Sequence, residues 1–315
     1  MEDPVNGRPM KILVTPRSLT RDGHPALDAL KDAGYELVFS TPGCFPTEEQ
    51  LLELLPGCVG YLAGVEPISA RVLDSAGDLK VISRNGTGVD SIDLAAAERN
   101  GIQIRRAEGA NARGVAELTL AHILALVRSV AFSDGAMKAQ QWQRRKGIEL
   151  EGRTLGIIGC GRIGRLVAEF AVAFGMKVLA FDPYPSPQFA PGGAFEYGPL
   201  QDVLSKADII GLHCPAKAAG TPLIDRDAIA RMKKGVYIVN TARGSLLDQD
   251  AVLEALESGR IAGVALDAFD REPPDDWRLI KDSRTVATPH IGGYTVQSVD
   301  RAVSAAVDNL LDALA

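Results

Sequence analysis

From Lys11 onward the chain repeats one pattern: a short β-branched run, then a stretch with apolar positions at helical spacing, then another run. This pattern is the tightest constraint on the fold. Two parallel strands can be joined only by a long crossover, and a helix is the usual one. The runs KILVTP, ELVFS, VGYLA, KVISR and IQIRR predict strands. Between them PALDALKDAG, TEEQLLELL, SARVLDSAG and IDLAAAERNG predict helices, mostly closed by glycine. Residues from about 10 to 106 therefore read as one doubly wound unit.

A long, largely uninterrupted helix is predicted from Asn111 to Lys138. Its centre, VAELTLAHILALVRSVAF, is apolar nearly all round, which implies burial between domains or against a partner subunit. The alternation then resumes with TLGIIG, KVLAFD, DIIGLHC, VYIVNT, IAGVALD and TVATPH as strands. GRLVAEFAVAFG, PLQDVLSKA, DRDAIARM and QDAVLEALESG are the helices between them. This second unit is complete by His290. The last helix, near 295–314, then has no sheet of its own and is expected to cross back onto the first unit. The predicted class is α/β, with two doubly wound parallel-sheet domains. One covers 1–106 and is completed by 291–315; the other covers 107–290. Ligands are expected in the interdomain cleft.

Composition narrows the function. A length of 315 residues suits two such domains. With 34 basic against 40 acidic residues the net charge is −6, which argues against a nucleic-acid partner. Apolar stretches fall short of the roughly 20 residues of a membrane span, so no membrane role is expected. The opening MEDPVNGRPM has no apolar run and reads as a frayed tail, not a signal peptide. Cys44, Cys58, Cys160 and Cys214 lie far apart with no CxxC spacing. Neither a metal site nor a disulfide framework is indicated, and the expected setting is reducing and cytoplasmic.

Gly159, Gly161 and Gly164 stand in G-x-G-x-x-G spacing between a predicted strand and a predicted helix, the context in which that pattern binds a dinucleotide. Gly159 allows the tight turn, Gly161 lets backbone approach a pyrophosphate, and Gly164 lets helix sit close on strand. Asp182, eighteen residues after Gly164, ends the next strand and can accept hydrogen bonds from ribose hydroxyls. It would repel a 2′-phosphate, so NAD is favoured over NADP. Cys160 reads as a small residue contributing backbone.

The four histidines can be taken in turn. His24 sits in a polar loop and is expected to be solvated. His122 falls in the apolar helix and reads as a hydrogen-bonded core residue. His213 ends DIIGLHC, where a contact with cofactor is plausible. His290 follows TVATP at a strand's C-terminal end, next to the expected domain crossover. Arg243 lies at the end of VYIVNT and offers a planar fork for a carboxylate. Glu272 sits in the proline-bounded loop of AFDREPPDD. Alone, Arg243 reads as a surface ion pair and Glu272 as a solvated acid; with His290 at the same sheet edge they form a narrower pattern.

The motifs GIIGCGRIG, VNTARGSLLD, ALDAFDREPP and TPHIGG, in this order, resemble the D-isomer-specific 2-hydroxyacid dehydrogenases. SRNGTGVDSIDL and the stretch from Met137 to Gly164 look most like the phosphoglycerate-type members. The resemblance implies a flavodoxin-like substrate-binding domain, a Rossmann-type NAD domain and a homodimer. It implies hydride transfer, with His290 as the acid/base, Glu272 bonded to its imidazole and Arg243 on the substrate carboxylate. It further implies that Arg162 and Ile163 meet the pyrophosphate and that His213, Cys214 and Pro215 border the adenosine. It implies too that Thr241 and Asp267 approach the nicotinamide side, that Ala242, Gly292 and Gly293 belong to the cofactor site, and that Gly64, Val65, Asn85 and Gly86 hold substrate through backbone N–H groups.

The chain departs from the phosphoglycerate type at Ala63-Gly64, where an Arg-Ser pair is usual, and at Arg106-Ala107-Glu108-Gly109, where Asn-x-Pro-Gly is usual. Hydroxypyruvate and glyoxylate therefore stay open beside phosphoglycerate, with Arg84 a candidate phosphate contact and Tyr294 a candidate pocket residue. An NAD-sensing interaction protein of the corepressor type is the alternative. A formate enzyme is disfavoured because that group carries Gln in place of Glu272.

Overall fold

The computed structural model describes residues 9–216 and 220–315. The expected frayed tail therefore lies mostly outside the described residues. The chain divides into two compact units, one up to Asn111 plus Val296–Ala315, the other Ala112–Thr295. Residues 107–111 thus fall in the first unit and 291–295 in the second.

The first unit carries β1 (Lys11–Val14), α1 (Arg17–Asp22), α2 (Asp28–Asp32), β2 (Glu36–Phe39), α3 (Glu48–Leu54) and β3 (Cys58–Ala63). It continues with α4 (Ala70–Ser75), β4 (Val81–Arg84), α5 (Leu94–Arg99) and β5 (Gln103–Arg106). The strands are all parallel in the order β2-β1-β3-β4-β5, the flavodoxin-like arrangement. Local chemistry starts the helices: Thr47 and Gln50 form a capping box at α3, and the Ser69 and Asp93 side chains cap α4 and α5.

The second unit opens with α6 (Ala112–Val127) and α7 (Val130–Lys138), followed by β6 (Thr154–Ile158), α8 (Arg162–Ala173), β7 (Lys177–Phe181) and β8 (Phe195–Tyr197). Then come α9 (Leu200–Lys206), β9 (Ile209–Leu212), α10 (Arg226–Arg231), β10 (Val236–Asn240) and α11 (Gln249–Glu257). β11 (Ile261–Leu266), α12 (Arg278–Lys281) and β12 (Thr285–Ala287) complete it. The seven parallel strands run β12-β11-β10-β9-β6-β7-β8. Counted from β6, that is the Rossmann order with one further strand, and the winding reverses between β6 and β9. α13 (Val296–Leu314) closes the chain and packs on β3, β4 and β5 of the first unit.

The long helix departs from expectation, and α1, β8 and α12 are additional to the predicted elements. The helix predicted over 111–138 is two helices bent by 66°. Ser129 sits in the left-handed region at φ 51. The Val127 carbonyl accepts from Ile148 N–H at 3.1 Å, so it is not available to continue the helix. The half that is apolar all round, α6, is buried against α8, β10, β11 and β12 within its own unit. No single helix among the described residues is long and apolar enough to cross a membrane.

Candidate active site

The glycine loop between β6 and α8 is fixed by three separate demands. Gly159 has φ 94, and a Cβ on it would lie 2.6 Å from Cys214 N on the neighbouring strand end. A Cβ on Gly164 would collide with the Gly159 carbonyl. Gly161 differs: a Cβ there would meet nothing within 4 Å. It N-caps α8 without a side chain, so the space beside the backbone at the start of the helix is open. Such a helix N-terminus fits a pyrophosphate. Asp182, just past β7, accepts from Cys160 N–H and Tyr184 N–H, each at 2.8 Å, and so ties the loop to the strand edge. Cys160 is buried, and burial pushes its thiol up, in keeping with a packing and backbone role.

His213 and Cys214 line the other side of this loop. Burial pushes the His213 imidazole down to about 4, so the ring is neutral near pH 7. Its two nitrogens have no hydrogen-bond partner among the described residues. A Cβ on Gly211 would lie 2.8 Å from its Nε2, so the ring folds back over β9. Pro215 is exposed and Cys214 half-buried.

At the other strand ends, His290 meets Glu272 with Nδ1 2.8 Å from each carboxylate oxygen. Phe269 N–H donates to Glu272 Oε1 at 3.1 Å. Nδ1–H therefore points at the carboxylate and Nε2 is the outward nitrogen. The Glu272 hydrogen bond raises the imidazole above its ordinary value, against burial, with the charges of Glu272 and Asp267 helping and Arg243 opposing. Burial pushes the Glu272 carboxyl up, but the His290 bond and charge, the Phe269 N–H and Arg243 together hold it below its usual value.

Arg243 thus exerts its charge on both partners. Its placement has a local cause. The fully buried Asn240 side chain donates to Arg243 O at 2.7 Å and accepts from Ala242 N–H at 3.1 Å, clasping the turn after β10. A Cβ on Gly244 would collide with the backbone of Phe269 and Asp270, so this turn packs directly against the loop that carries Glu272. The Arg243 guanidinium donates to Ala242 O at 2.7 Å.

Asp267, buried at the end of β11, holds the histidine loop on both sides. Its Oδ1 accepts from Thr288 Oγ1 at 2.6 Å and Ile291 N–H at 2.8 Å, and its Oδ2 from Gly292 N–H at 2.8 Å. The structure thus assigns its polar contacts to the loop around His290. Thr241 shares a buried hydrogen bond of 2.9 Å with Thr119 of α6, so its hydroxyl faces the helix. Ala242 is half-buried, and Gly292 and Gly293 continue the turn after His290. Tyr294 is largely exposed, its N–H bonded to Ile291 O at 2.8 Å.

Gly64, Val65, Asn85 and Gly86 belong to the first unit, after β3 and β4. Three of their N–H groups already have internal acceptors: Gly64 on Glu66 Oε1 at 2.9 Å, Asn85 on Ala63 O at 2.9 Å, and Gly86 on Arg84 O at 2.8 Å. Val65 is about half exposed. Sequence reasoning passed over Glu66. It is buried, takes Tyr61 Oη at 2.6 Å and Thr15 Oγ1 on the same oxygen, and leaves Oε2 without a partner among the described residues. Only the fold brings β1 and β3 together around it, so no spacing could have shown it. His24 corrects an expectation: rather than being solvated, its ring accepts from Ala26 N–H and lies 2.9 Å from Asp300 of α13. α13 returns to its side, a contact invisible at a separation of 276 residues.

Comparison with known proteins agrees with this geometry. The profile of "D-isomer specific 2-hydroxyacid dehydrogenase, NAD binding domain" matches residues 120–292. Human D-3-phosphoglycerate dehydrogenase is 39% identical over 258 residues, 81% of this chain and 48% of that protein. The chain thus spans about half the length of the curated relatives it matches. Among solved structures, a glyoxylate reductase from Paecilomyes thermophila aligns with a TM-score of 0.86 at 28% identity, over 97% of this chain and 96% of that one. A D-lactate dehydrogenase from Aquifex aeolicus, complexed with NAD and lactic acid, gives 0.83 at 30% identity, over 95% and 94%. The match over the strand ends that carry Arg243, Glu272 and His290, together with the Rossmann order and the glycine loop, places this chain in the D-isomer specific 2-hydroxyacid dehydrogenase family, with that family's NAD-binding domain as its second unit.

Proposed function

We propose that this protein is an NAD-dependent oxidoreductase acting between a small D-2-hydroxy acid and its 2-keto acid. The observation that carries the reading is the Glu272–His290 pair under the charge of Arg243, all on the NAD-binding unit. NAD, when bound, supplies the hydride acceptor or donor. The first turn of α8, from Arg162 and Ile163, would hold the pyrophosphate against Gly161, and Asp182 the adenosine ribose. His213, Cys214 and Pro215 would border the adenosine, Thr241 and Asp267 would stand on the nicotinamide side, and Ala242, Gly292 and Gly293 would complete the cofactor site.

The chain's own chemistry is proton transfer and charge recognition. In reduction, Nε2–H of the His290 imidazolium gives its proton to the ketone oxygen; in oxidation, neutral Nε2 takes the hydroxyl proton. Glu272 stabilises the imidazolium and fixes its orientation. Arg243 pairs with the substrate carboxylate through its planar fork. The relatives' names cover phosphoglycerate, glyoxylate and lactate, so the reading extends to a small 2-keto acid of the phosphohydroxypyruvate, hydroxypyruvate or glyoxylate type. Those names lend the NAD-sensing scaffold no support.

The reading includes a homodimer, supported by the half-exposed Val130 and Met137 of α7 and the exposed Trp142 beyond it. It includes a reducing, cytoplasmic setting, supported by four free cysteines. The test is NADH oxidation with a panel of these acids, repeated with NADPH. Turnover of at least one acid with preference for NADH is expected; no turnover of any would overturn the proposal.

A further inference from the structure

We infer that His122 is a positioning residue for the His290 acid/base, acting through Thr288 and Asp267. The inference rests on the reading of His290 given above. His122 lies on α6, buried, with Nε2 3.0 Å from Thr288 Oγ1. The Thr288 hydroxyl lies 2.6 Å from Asp267 Oδ1, and a carboxylate only accepts, so the hydroxyl proton lies on that bond. The remaining lone pair of Thr288 Oγ1 can then only receive a proton, which makes His122 Nε2 the N–H donor. Burial lowers the His122 imidazole below its ordinary value, with the charge of Asp267 opposing, so the ring donates as a neutral group.

The arrangement carries a cost that packing does not explain. His122 Nδ1 is buried with no partner among the described residues. Around it on α6, Thr119 is satisfied by Val115 O and Thr241, and Ile123 and Leu126 are apolar. A leucine or methionine would fill the same place without an unsatisfied nitrogen. What the histidine adds is one hydrogen bond at the end of a chain that reaches the catalytic loop. Thr288 O accepts His290 N–H at 3.0 Å, and Asp267 takes Ile291 and Gly292 N–H. His290 is therefore pinned from both sides at φ 53, a left-handed conformation that a histidine rarely adopts unless its surroundings enforce it. With the His122 N–H gone, the Thr288 hydroxyl is free to leave Asp267, the loop relaxes, and the Glu272–His290 bond loosens.

The test reads the imidazole directly. Nitrogen NMR of the labelled whole protein is expected to show His122 as the neutral Nε2–H tautomer. His122→Met keeps volume and removes the donor. In that variant the titration of His290 should fall toward 6.5, and kcat/KM for the 2-keto acid should fall about tenfold, mostly in kcat, with NADH affinity unchanged. His122→Gln, which restores a neutral N–H, should recover most of both. Thr288→Val breaks the same chain at its middle and should lower the His290 titration even if His122→Met fails to fold. A wild-type His290 titration in either folded variant would overturn the inference. Because that titration needs no substrate, a protein that turned over no 2-keto acid would refute the functional reading while leaving this test decisive.

Discussion

His290 stands where side-chain chemistry and backbone strain coincide, and its pH behaviour is set first by its bond to Glu272. The histidine is raised, so the stability its Glu272 bond contributes is fully present below pH 6.5 and lost as pH rises through the raised value. Glu272 is lowered, so its contribution is present above its ordinary 4.5 and lost as pH falls through the lowered value. Between these limits both partners are charged. Ketone reduction needs the imidazolium, so kcat/KM in that direction should hold beyond pH 6.5 and decline only above it. Glu272→Gln should move this decline to lower pH; a decline that does not move would remove Glu272 from the role. Arg243, Glu272 and His290 could be singled out in the sequence because each falls in a loop after a β run and inside a motif that the family shares; residue type alone left Arg243 and Glu272 as surface charges. Thr288 and Glu66 could not be, and of His122 only its place as a buried, hydrogen-bonded core residue was legible, not its partner. Their roles depend on contacts between segments far apart in the chain, such as His122 with Thr288, and neither residue type nor local spacing records such a contact.

Among the elements, the turn from β6 into α8 separates what the fold needs from what a cofactor needs. Gly164→Ala drives a Cβ into the Gly159 carbonyl and should cost about 1–3 kcal/mol of stability, seen as a lower Tm. Gly161→Ala meets nothing in the protein and has φ −77, so its Tm should stay close to wild type while NADH affinity falls. Calorimetry and NADH fluorescence titration on the two variants check this. A Gly161→Ala protein with full NADH affinity would contradict cofactor approach at that residue. The longer elements were legible from periodicity alone. The break at Ser129 was not, because it is caused by Ile148 taking the Val127 carbonyl, and α1, β8 and α12 lie outside the apolar runs read as strands or helices.

On the scale of the whole molecule, the first unit depends on the chain's last helix. α13 buries Val303, Ala306, Val307 and Leu310 in a core with Ile12, Val14 and Leu62. Gly60 of β3 admits it closely, since a Cβ there would lie 3.3 Å from Leu310. Leu310→Ala should destabilise the protein by about 2–5 kcal/mol in denaturant unfolding, leaving the glycine loop of the other unit intact. The return of α13 was legible by elimination, since the second sheet left it without a partner; the residues where the chain changes unit were not, because 107–111 and 291–295 carry no periodic pattern. The central claim is that the NAD-binding unit itself carries the proton donor. Its most direct test is turnover of a 2-keto acid by His290→Gln beside its NADH dissociation constant. The account predicts a loss of roughly 10²–10⁴-fold in kcat with NADH binding retained; turnover equal to wild type would contradict it.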